Sequence, residues 1–250
     1  MLDDHSMQTM PTMAASIRFN NIGVACIESG DYENAIETFK HAMTTLKGAI
    51  EVYVRARKRR RHHSNHSPRP EVEAKFEHTL RSEDLEQLSI HHRRPDQQGN
   101  DQDADLFVFR CPLRIADDKE CFPESYTEIS IIMTYNLALA HHLDGLETDE
   151  EGEVLMKSLE LYGMTLDLLL RDQSFKHNTV IFTTAILNNM GQIHYLLGNE
   201  QLSTKFFKRM LSIIMIELAS NRKEELENHL DGFFYNINQF IYKKPSAPAA

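Results

Sequence analysis

Hydrophobic residues recur at intervals of three and four over much of the chain, beginning with FNNIGVACIESGDYENAIETFKHAM at residues 19–43. After residue 32 they form one stripe, which predicts an amphipathic helix that runs on towards a basic cluster. Over residues 15–29 they lie on most sides, which predicts a largely buried helix. Gly30 can take the left-handed conformation that ends a helix, and Asp31 can cap the next one. The stretch therefore predicts a pair of packed helices.

The same periodicity returns in the second half of the chain. It predicts two further helix pairs and a final helix, over residues 126–143, 153–170, 180–197, 200–219 and 223–241. The segment LFVFRCPLRI, residues 106–115, is different because aromatic and β-branched residues dominate it. We therefore expect an all-α fold with one short strand-like segment.

Composition divides the chain into regions. Residues 62–105 are rich in Pro, Ser, Asn, Gln and charged residues, which is typical of a disordered insertion. Residues 1–13 and 244–250 are expected to be flexible tails. The first helix pair, with its basic end, then covers residues 14–61. The strand-like segment, the other two pairs and the final helix cover residues 106–243.

Four short strings repeat inside the predicted helices: FNNIG, TYNLA, LNNMG and FYNIN. Each places an asparagine before a large aliphatic residue, either in the first helix of a pair or in the final helix. These asparagines are Asn21, Asn136, Asn189 and Asn236. In the three pairs, the second helix carries a small residue with an aromatic residue four positions later, as in Ala35 and Phe39. Helix pairs that repeat in this way predict a stacked array.

The first pair resembles one tetratricopeptide (TPR) repeat, and the third pair resembles a second. The residues that carry the resemblance are Phe19, Ile22, Gly23, Gly30, Asp31, Tyr32, Ala35, Phe39 and Ala42, and then Leu187, Met190, Gly191, Gly198, Asn199, Ser203 and Phe207. The middle pair is a degenerate third repeat, with Leu137 and Ala138 in place of a Leu-Gly. The resemblance implies an all-α solenoid of TPR-like helical hairpins: three helix pairs and a C-terminal capping helix. The asparagines are further apart than the family's period of about 34 residues, which implies longer helices or loops.

In TPR proteins an asparagine at this place faces a concave groove and hydrogen-bonds the backbone of a bound peptide. The resemblance implies this role for Asn21, Asn136 and Asn189. An amide side chain suits it because it offers both donors and an acceptor to an extended backbone. The expected groove lining, one turn away, consists of Ile17, Val24, Ile132, Leu139 and Gln192. Only Arg18 is basic near the asparagines, so we expect an apolar or amphipathic protein or peptide partner, not an acidic tail.

Two features allow a second interpretation. The asparagines can instead cap loops or bridge neighbouring helices, which would satisfy buried polar groups. This fits Asn236 better than the others, because no helix follows its own. Residues 106–115 can either pack into the groove as an internal ligand or form an edge strand or hairpin.

The net charge of −10 argues against a general attraction to nucleic acid or to anionic membranes. A basic run interrupts this acidic background: Arg55, Arg57, Lys58, Arg59, Arg60 and Arg61. It predicts a nuclear-import signal, or phosphate contacts in a nucleic-acid-associated adaptor, or a solvated helix end that the helix dipole favours. Only one aromatic residue, Tyr53, lies near the run, so stacking on single-stranded nucleic acid is disfavoured.

Known catalytic and metal-binding motifs are missing from the sequence. It contains no nucleophile elbow, phosphate-binding loop or dinucleotide turn, and no HExxH or Cys/His zinc spacing. We therefore expect a protein that is not an enzyme and uses no cofactor or metal. Three cysteines and an N-terminus without signal-peptide features predict an intracellular location, cytoplasmic or nuclear. The predicted function is a non-catalytic scaffold or adaptor for a protein or peptide.

Overall fold

A computed structural model of the chain describes residues 12–63, 106–116, 126–148, 151–171, 179–219 and 229–241. These ranges contain helices joined by turns and irregular backbone, and no strand. The helices are α1 (Met13–Glu28), α2 (Tyr32–His63), α3 (Tyr126–Gly145), α4 (Glu151–Arg171), α5 (Thr179–Leu196), α6 (Glu200–Ala219) and α7 (Leu230–Ile241). The predicted all-α class with consecutive TPR-like helix pairs is confirmed.

The chain divides into two compact units. Unit 1 contains α1, α2, residues 112–116 and most of α3, up to Ala140. Unit 2 contains residues 106–111, the end of α3 and helices α4 to α7. The strand-like segment predicted at residues 106–115 therefore contributes one part to each unit.

The beginning of α1 and the break between α1 and α2 follow from local chemistry. Thr12 caps α1, because its hydroxyl oxygen accepts a hydrogen bond from the Ala15 N–H at 3.1 Å. Gly30 has a φ angle of +78°, the left-handed conformation that terminates a helix. Asp31 then caps α2 by accepting a bond from the Asn34 N–H at 3.3 Å. Gly198 has a φ angle of +73° and separates α5 from α6 in the same way.

The first and third helix pairs close around a glycine and a phenylalanine. A Cβ atom added at Gly23 in α1 would lie 2.7 Å from the ring of Phe39 in α2. A Cβ atom added at Gly191 in α5 would lie 2.9 Å from the ring of Phe207 in α6. Both rings are fully buried. The sequence similarity of the two pairs thus corresponds to one packing device, in which an aromatic ring fills the space that a missing side chain leaves.

The first helices of the second and third pairs are buried on every side. In α3 residues 131–140 are all buried, and in α5 residues 184–193 are all buried. A helix that is surrounded by protein cannot carry unpaired charges. This explains why the buried stretch 184–193 contains no Lys, Arg, Asp or Glu. Within the described ranges, no helix is long and apolar enough to cross a membrane.

Several predicted regions fall outside the described residues. These are almost all of the insertion at 62–105 and of the tails at 1–13 and 244–250, and they stay predictions. The final helix was expected over residues 223–241, and the structure describes α7 from Leu230 onward, packed against α6. Helix α2 continues to His63 and so includes the basic run.

The glycine–aromatic packing predicts opposite effects for two glycine-to-alanine changes. Gly191→Ala forces a methyl group against the buried Phe207 ring, and we expect the free energy of unfolding to fall by about 1–3 kcal/mol. Gly163→Ala in α4 is the matched control, because a Cβ atom there meets no atom within 4 Å. It should gain about 0.5–1 kcal/mol from helix propensity. Urea unfolding measures both, and an equal gain for the two variants would contradict this packing.

Candidate peptide-binding site

Residues 106–115 are held by asparagine side chains from the helices. Four residues of this segment have both their backbone N–H and their backbone C=O bound by one asparagine each: Phe107, Phe109, Leu113 and Ile115. Within each unit the bound residues are two positions apart, the repeat of an extended chain. The segment thus has the alternation of a strand, but its backbone partners are side chains.

We call an asparagine that binds both the N–H and the C=O of one segment residue a clamp. In unit 1 the two clamps come from α1 and α3. The Ile115 N–H donates to Asn21 Oδ1 at 2.9 Å, and Asn21 Nδ2 donates back to the Ile115 carbonyl at 2.8 Å. Leu113 is bound in the same manner by Asn136, at 2.8 Å and 2.7 Å. Asn136 is fully buried, and Asn21 is half-buried. Each amide therefore reads the backbone of the segment, not its side chains.

A third asparagine, Asn20, ties the unit 1 clamps together. Asn136 Nδ2 donates to Asn20 Oδ1 at 2.9 Å, while Asn20 Nδ2 donates to the Leu113 carbonyl at 3.1 Å. Asn20 is fully buried, so these bonds satisfy polar atoms that water cannot reach. The result is a connected network between two helices and the segment.

In unit 2 the clamps come from α5 and α7. The Phe109 N–H donates to Asn189 Oδ1 at 2.9 Å, and Asn189 Nδ2 donates to the Phe109 carbonyl at 3.0 Å. Phe107 is bound by Asn236 at 2.9 Å and 2.8 Å. Both asparagines are fully buried. In each unit the earlier residue of the segment is bound by the later asparagine.

Asn188 links the unit 2 clamps as Asn20 links those of unit 1. Asn236 Nδ2 donates to Asn188 Oδ1 at 2.8 Å, and Asn188 Nδ2 donates to the Phe107 carbonyl at 3.0 Å. Asn189 Nδ2 also donates to the Tyr162 hydroxyl at 3.0 Å. Burial raises the pKa of Tyr162, so its hydroxyl remains protonated. We refer to Asn21, Asn136, Asn189 and Asn236 as the asparagine clamps, which Asn20 and Asn188 link.

The clamps explain why the strand-like segment is not a strand. An amide side chain offers an acceptor and a donor side by side, as the edge of a neighbouring strand does. Each bond contributes about 0.5–1.5 kcal/mol net, whereas a buried amide left without a partner costs about 1–3 kcal/mol. The segment and the buried asparagines therefore need each other.

The structure brings the predicted Asn21, Asn136 and Asn189 to a backbone, and that backbone belongs to this chain. Their binding to another protein stays a prediction. Asn236 was expected to serve in a capping helix, and it clamps Phe107 as well. Asn20 and Asn188 escaped the sequence reasoning, although the doublet Asn-Asn in FNNIG and LNNMG was a visible signal for both.

The predicted groove-lining residues lie inside the protein. Ile17, Val24, Ile132, Leu139 and Gln192 are each at most 4% exposed. They therefore contribute no open apolar surface in this structure. Their contact with a bound partner stays a prediction.

A buried histidine lies beside the clamps of unit 2. Burial lowers the pKa of His142 to about 3. Gln192 raises this pKa, and the charge of Arg110 lowers it. His142 is thus neutral at physiological pH, and its ring packs edge-on against Tyr162, with the ring centroids 6.0 Å apart. This contact supports the tyrosine that Asn189 binds.

The basic run lies on the last part of α2. Arg55 is 74% exposed and forms an ion pair with Glu51 at 3.3 Å, and Lys58 and Arg59 are also exposed. The side chains of Arg57, Arg60 and Arg61 lie outside the described residues. A role in import or phosphate binding stays a prediction. Among the residues that the structure describes, no three potential metal ligands come together.

The clamp geometry predicts a large effect for an isosteric change at Asn136. In Asn136→Asp a carboxylate oxygen replaces the Nδ2 group that donates to Leu113 and Asn20, so two acceptors face a negative charge. We expect the free energy of unfolding to fall by at least about 2 kcal/mol. The same change at the exposed Asn238 in α7 should alter it by less than about 0.5 kcal/mol. Equal effects in urea unfolding would contradict the clamp.

Comparison with known proteins supports the repeat reading. Residues 18–45 match the family model of the tetratricopeptide repeat, a range that runs from α1 into α2 and includes Gly23, Gly30 and Phe39. No curated protein and no solved structure matches the chain significantly. Such a repeat suggests a protein-interaction scaffold, and its helical fold is typical of proteins without catalytic activity. Residues 18–45 thus match one tetratricopeptide repeat, and the helix pairs of the described residues are consistent with an all-α, TPR-like helical array.

Proposed function

We propose that this protein is a non-catalytic scaffold that binds an extended protein segment through its asparagine clamps. In the absence of a partner, its own residues 106–115 occupy the clamps. The observation that carries the proposal is the two-way pairing of four asparagines with four backbone positions of that segment, at 2.7–3.0 Å. The internal segment stands in for the ligand.

The chemistry of the clamps suits recognition of a chain with little regard to its sequence. Each clamp uses only a backbone N–H and C=O, which every residue except proline offers. Main-chain bonds of this kind supply affinity in the binding of extended peptides, and the flanking side chains supply selectivity. The buried asparagines also require an occupant, because without one their buried amide groups would have no hydrogen-bond partners, which destabilises the fold.

A partner must compete with an intramolecular ligand. A tethered segment acts at an effective concentration set by its connections, which makes a free peptide a weak competitor. The apparent affinity of the wild-type chain for a partner is therefore lower than that of the clamps themselves. Any change that weakens the internal segment should raise it.

The basic run supports a second candidate function only through exposure. Lys58 and Arg59 are available to solvent, as an adaptor that contacts phosphates would require. Binding of that kind would weaken steeply with salt, whereas clamp binding should not.

A peptide competition experiment tests the proposed function. The probe is a labelled peptide of residues 104–116 with serine in place of Cys111, ADLFVFRSPLRIA. The receptors are the full-length wild type and the full-length variant Phe109→Ala/Leu113→Ala, which weakens the internal competitor once in each unit. We expect the variant to bind the probe at least about tenfold more tightly, as measured by fluorescence anisotropy, because shape-complementary side chains of the competitor are lost.

The control peptide carries N-methyl groups on the amides of Phe109 and Leu113. It keeps every side chain but removes the N–H donors for Asn189 and Asn136. It should not bind. Circular dichroism verifies that the variant receptor is folded. Equal binding of the two peptides would contradict backbone recognition, and no binding of either peptide to the folded variant would contradict the proposed function.

A further inference from the structure

In unit 2 the phenylalanine side chains of the segment pack against aromatic rings and against the backbone of α7. Phe109 is 4% exposed, and its ring stacks on that of Phe233 with a centroid distance of 5.9 Å and an angle of 16°. The ring of His229 meets Phe109 edge-on at 5.2 Å. Phe109 is thus enclosed by two aromatic groups, one in α7 and one immediately before it.

Phe107, two residues earlier, uses the same helix. Its ring meets Phe233 edge-on, with the centroids 5.7 Å apart. It also lies flat against the backbone of α7 at Gly232, where an added Cβ atom would approach the ring to 2.6 Å. Any residue larger than glycine at position 232 would displace this ring. A flat aromatic ring packs more closely against the helix backbone at Gly232 than a branched aliphatic side chain, which is thicker.

Phe233 therefore contacts both phenylalanines of the segment. It is itself fully buried, Phe109 is buried as well, and Phe107 is half-buried. Stacked and edge-on ring pairs at these distances stabilise beyond the area they bury. We call His229, Gly232 and Phe233 the aromatic subsite.

We infer that the aromatic subsite selects ligands that carry two aromatic residues separated by one residue. This inference rests on the proposed function and supplies its selectivity in unit 2. Asn236 and Asn189 hold the backbones of the two aromatic residues, and the aromatic subsite holds their rings. The spacing follows from the clamps, because the two bound positions are two residues apart in the extended segment. The partner class is an extended protein segment with the pattern aromatic–any–aromatic.

Two short peptides test the selectivity. The first is ADLFVFRS, residues 104–111 with serine in place of Cys111, and the second is ADLLVLRS, in which leucine replaces both phenylalanines. The receptor is the full-length variant Phe107→Ala/Phe109→Ala, whose internal segment offers the backbone but no rings. Leucine retains hydrophobicity and every backbone group, so the comparison isolates the contribution of the rings. Because the ring contacts are lost, we expect the leucine peptide to bind at least about tenfold more weakly.

Receptor variants locate the selectivity. Phe233→Leu, made in the same receptor, should reduce the preference for the phenylalanine peptide to about twofold or less. Phe234→Leu, the same change at the neighbouring position of α7, should leave the preference unchanged. If Phe233→Leu disturbs folding, as judged by circular dichroism, His229→Leu replaces it, because it removes one of the two ring partners of Phe109 and should lower the preference about threefold.

The outcomes separate the two proposals. A tenfold preference that disappears with Phe233→Leu supports the aromatic subsite. Equal binding of both peptides overturns the aromatic selection while the proposed peptide-binding function stands. If neither peptide binds the folded receptor, the peptide-binding function fails, and the selectivity fails with it.

Discussion

The two-way hydrogen bond between an asparagine side chain and a backbone residue is the interaction on which this structure depends. Asn136, Asn189 and Asn236 are fully buried, so their amides must find partners inside the protein. Helix backbones cannot supply these partners, because their own groups are already paired within the helix. Helix side chains accept only one bond from each Nδ2 group. Residues 106–115 supply the other partners. Within each unit, the helices and their part of the segment therefore depend on each other, and a partner of the proposed kind would have to satisfy the same amides.

In the proposed function, selectivity and affinity have different origins. The asparagine clamps bind N–H and C=O groups, which are common to almost all residues. The aromatic subsite, in contrast, meets ring faces and edges, and the missing side chain of Gly232 makes room for one of the rings. The helix pairs use the same packing of a glycine against an aromatic ring, because Gly23 and Gly191 leave room for the rings of Phe39 and Phe207. Absent side chains thus shape both the fold and the site.

Local patterns in the sequence predict much of this structure. The helix breaks at Gly30 and Gly198 follow from backbone chemistry, and the periodic apolar residues locate the helices. The repeated strings also single out Asn21, Asn136, Asn189 and Asn236. The apolar, extended character of residues 106–115 allows them to occupy the asparagines as an internal ligand, as one alternative. The pairing of Asn236 with Phe107 does not follow from any local pattern, because it joins positions far apart in the chain. A strand-like composition at residues 106–115 predicts extended backbone, but it does not distinguish pairing with a strand from pairing with amides.

Amide hydrogen exchange of residues 106–115, followed by NMR in the full-length protein, tests the central claim most directly. The account predicts slow exchange at the four clamped amides of Phe107, Phe109, Leu113 and Ile115, because each is bonded to a side-chain oxygen. It also predicts that Asn189→Ala accelerates exchange at Phe109 more than at Leu113, since Asn189 binds only the former. Fast exchange at all four amides in the wild type would contradict the clamped state.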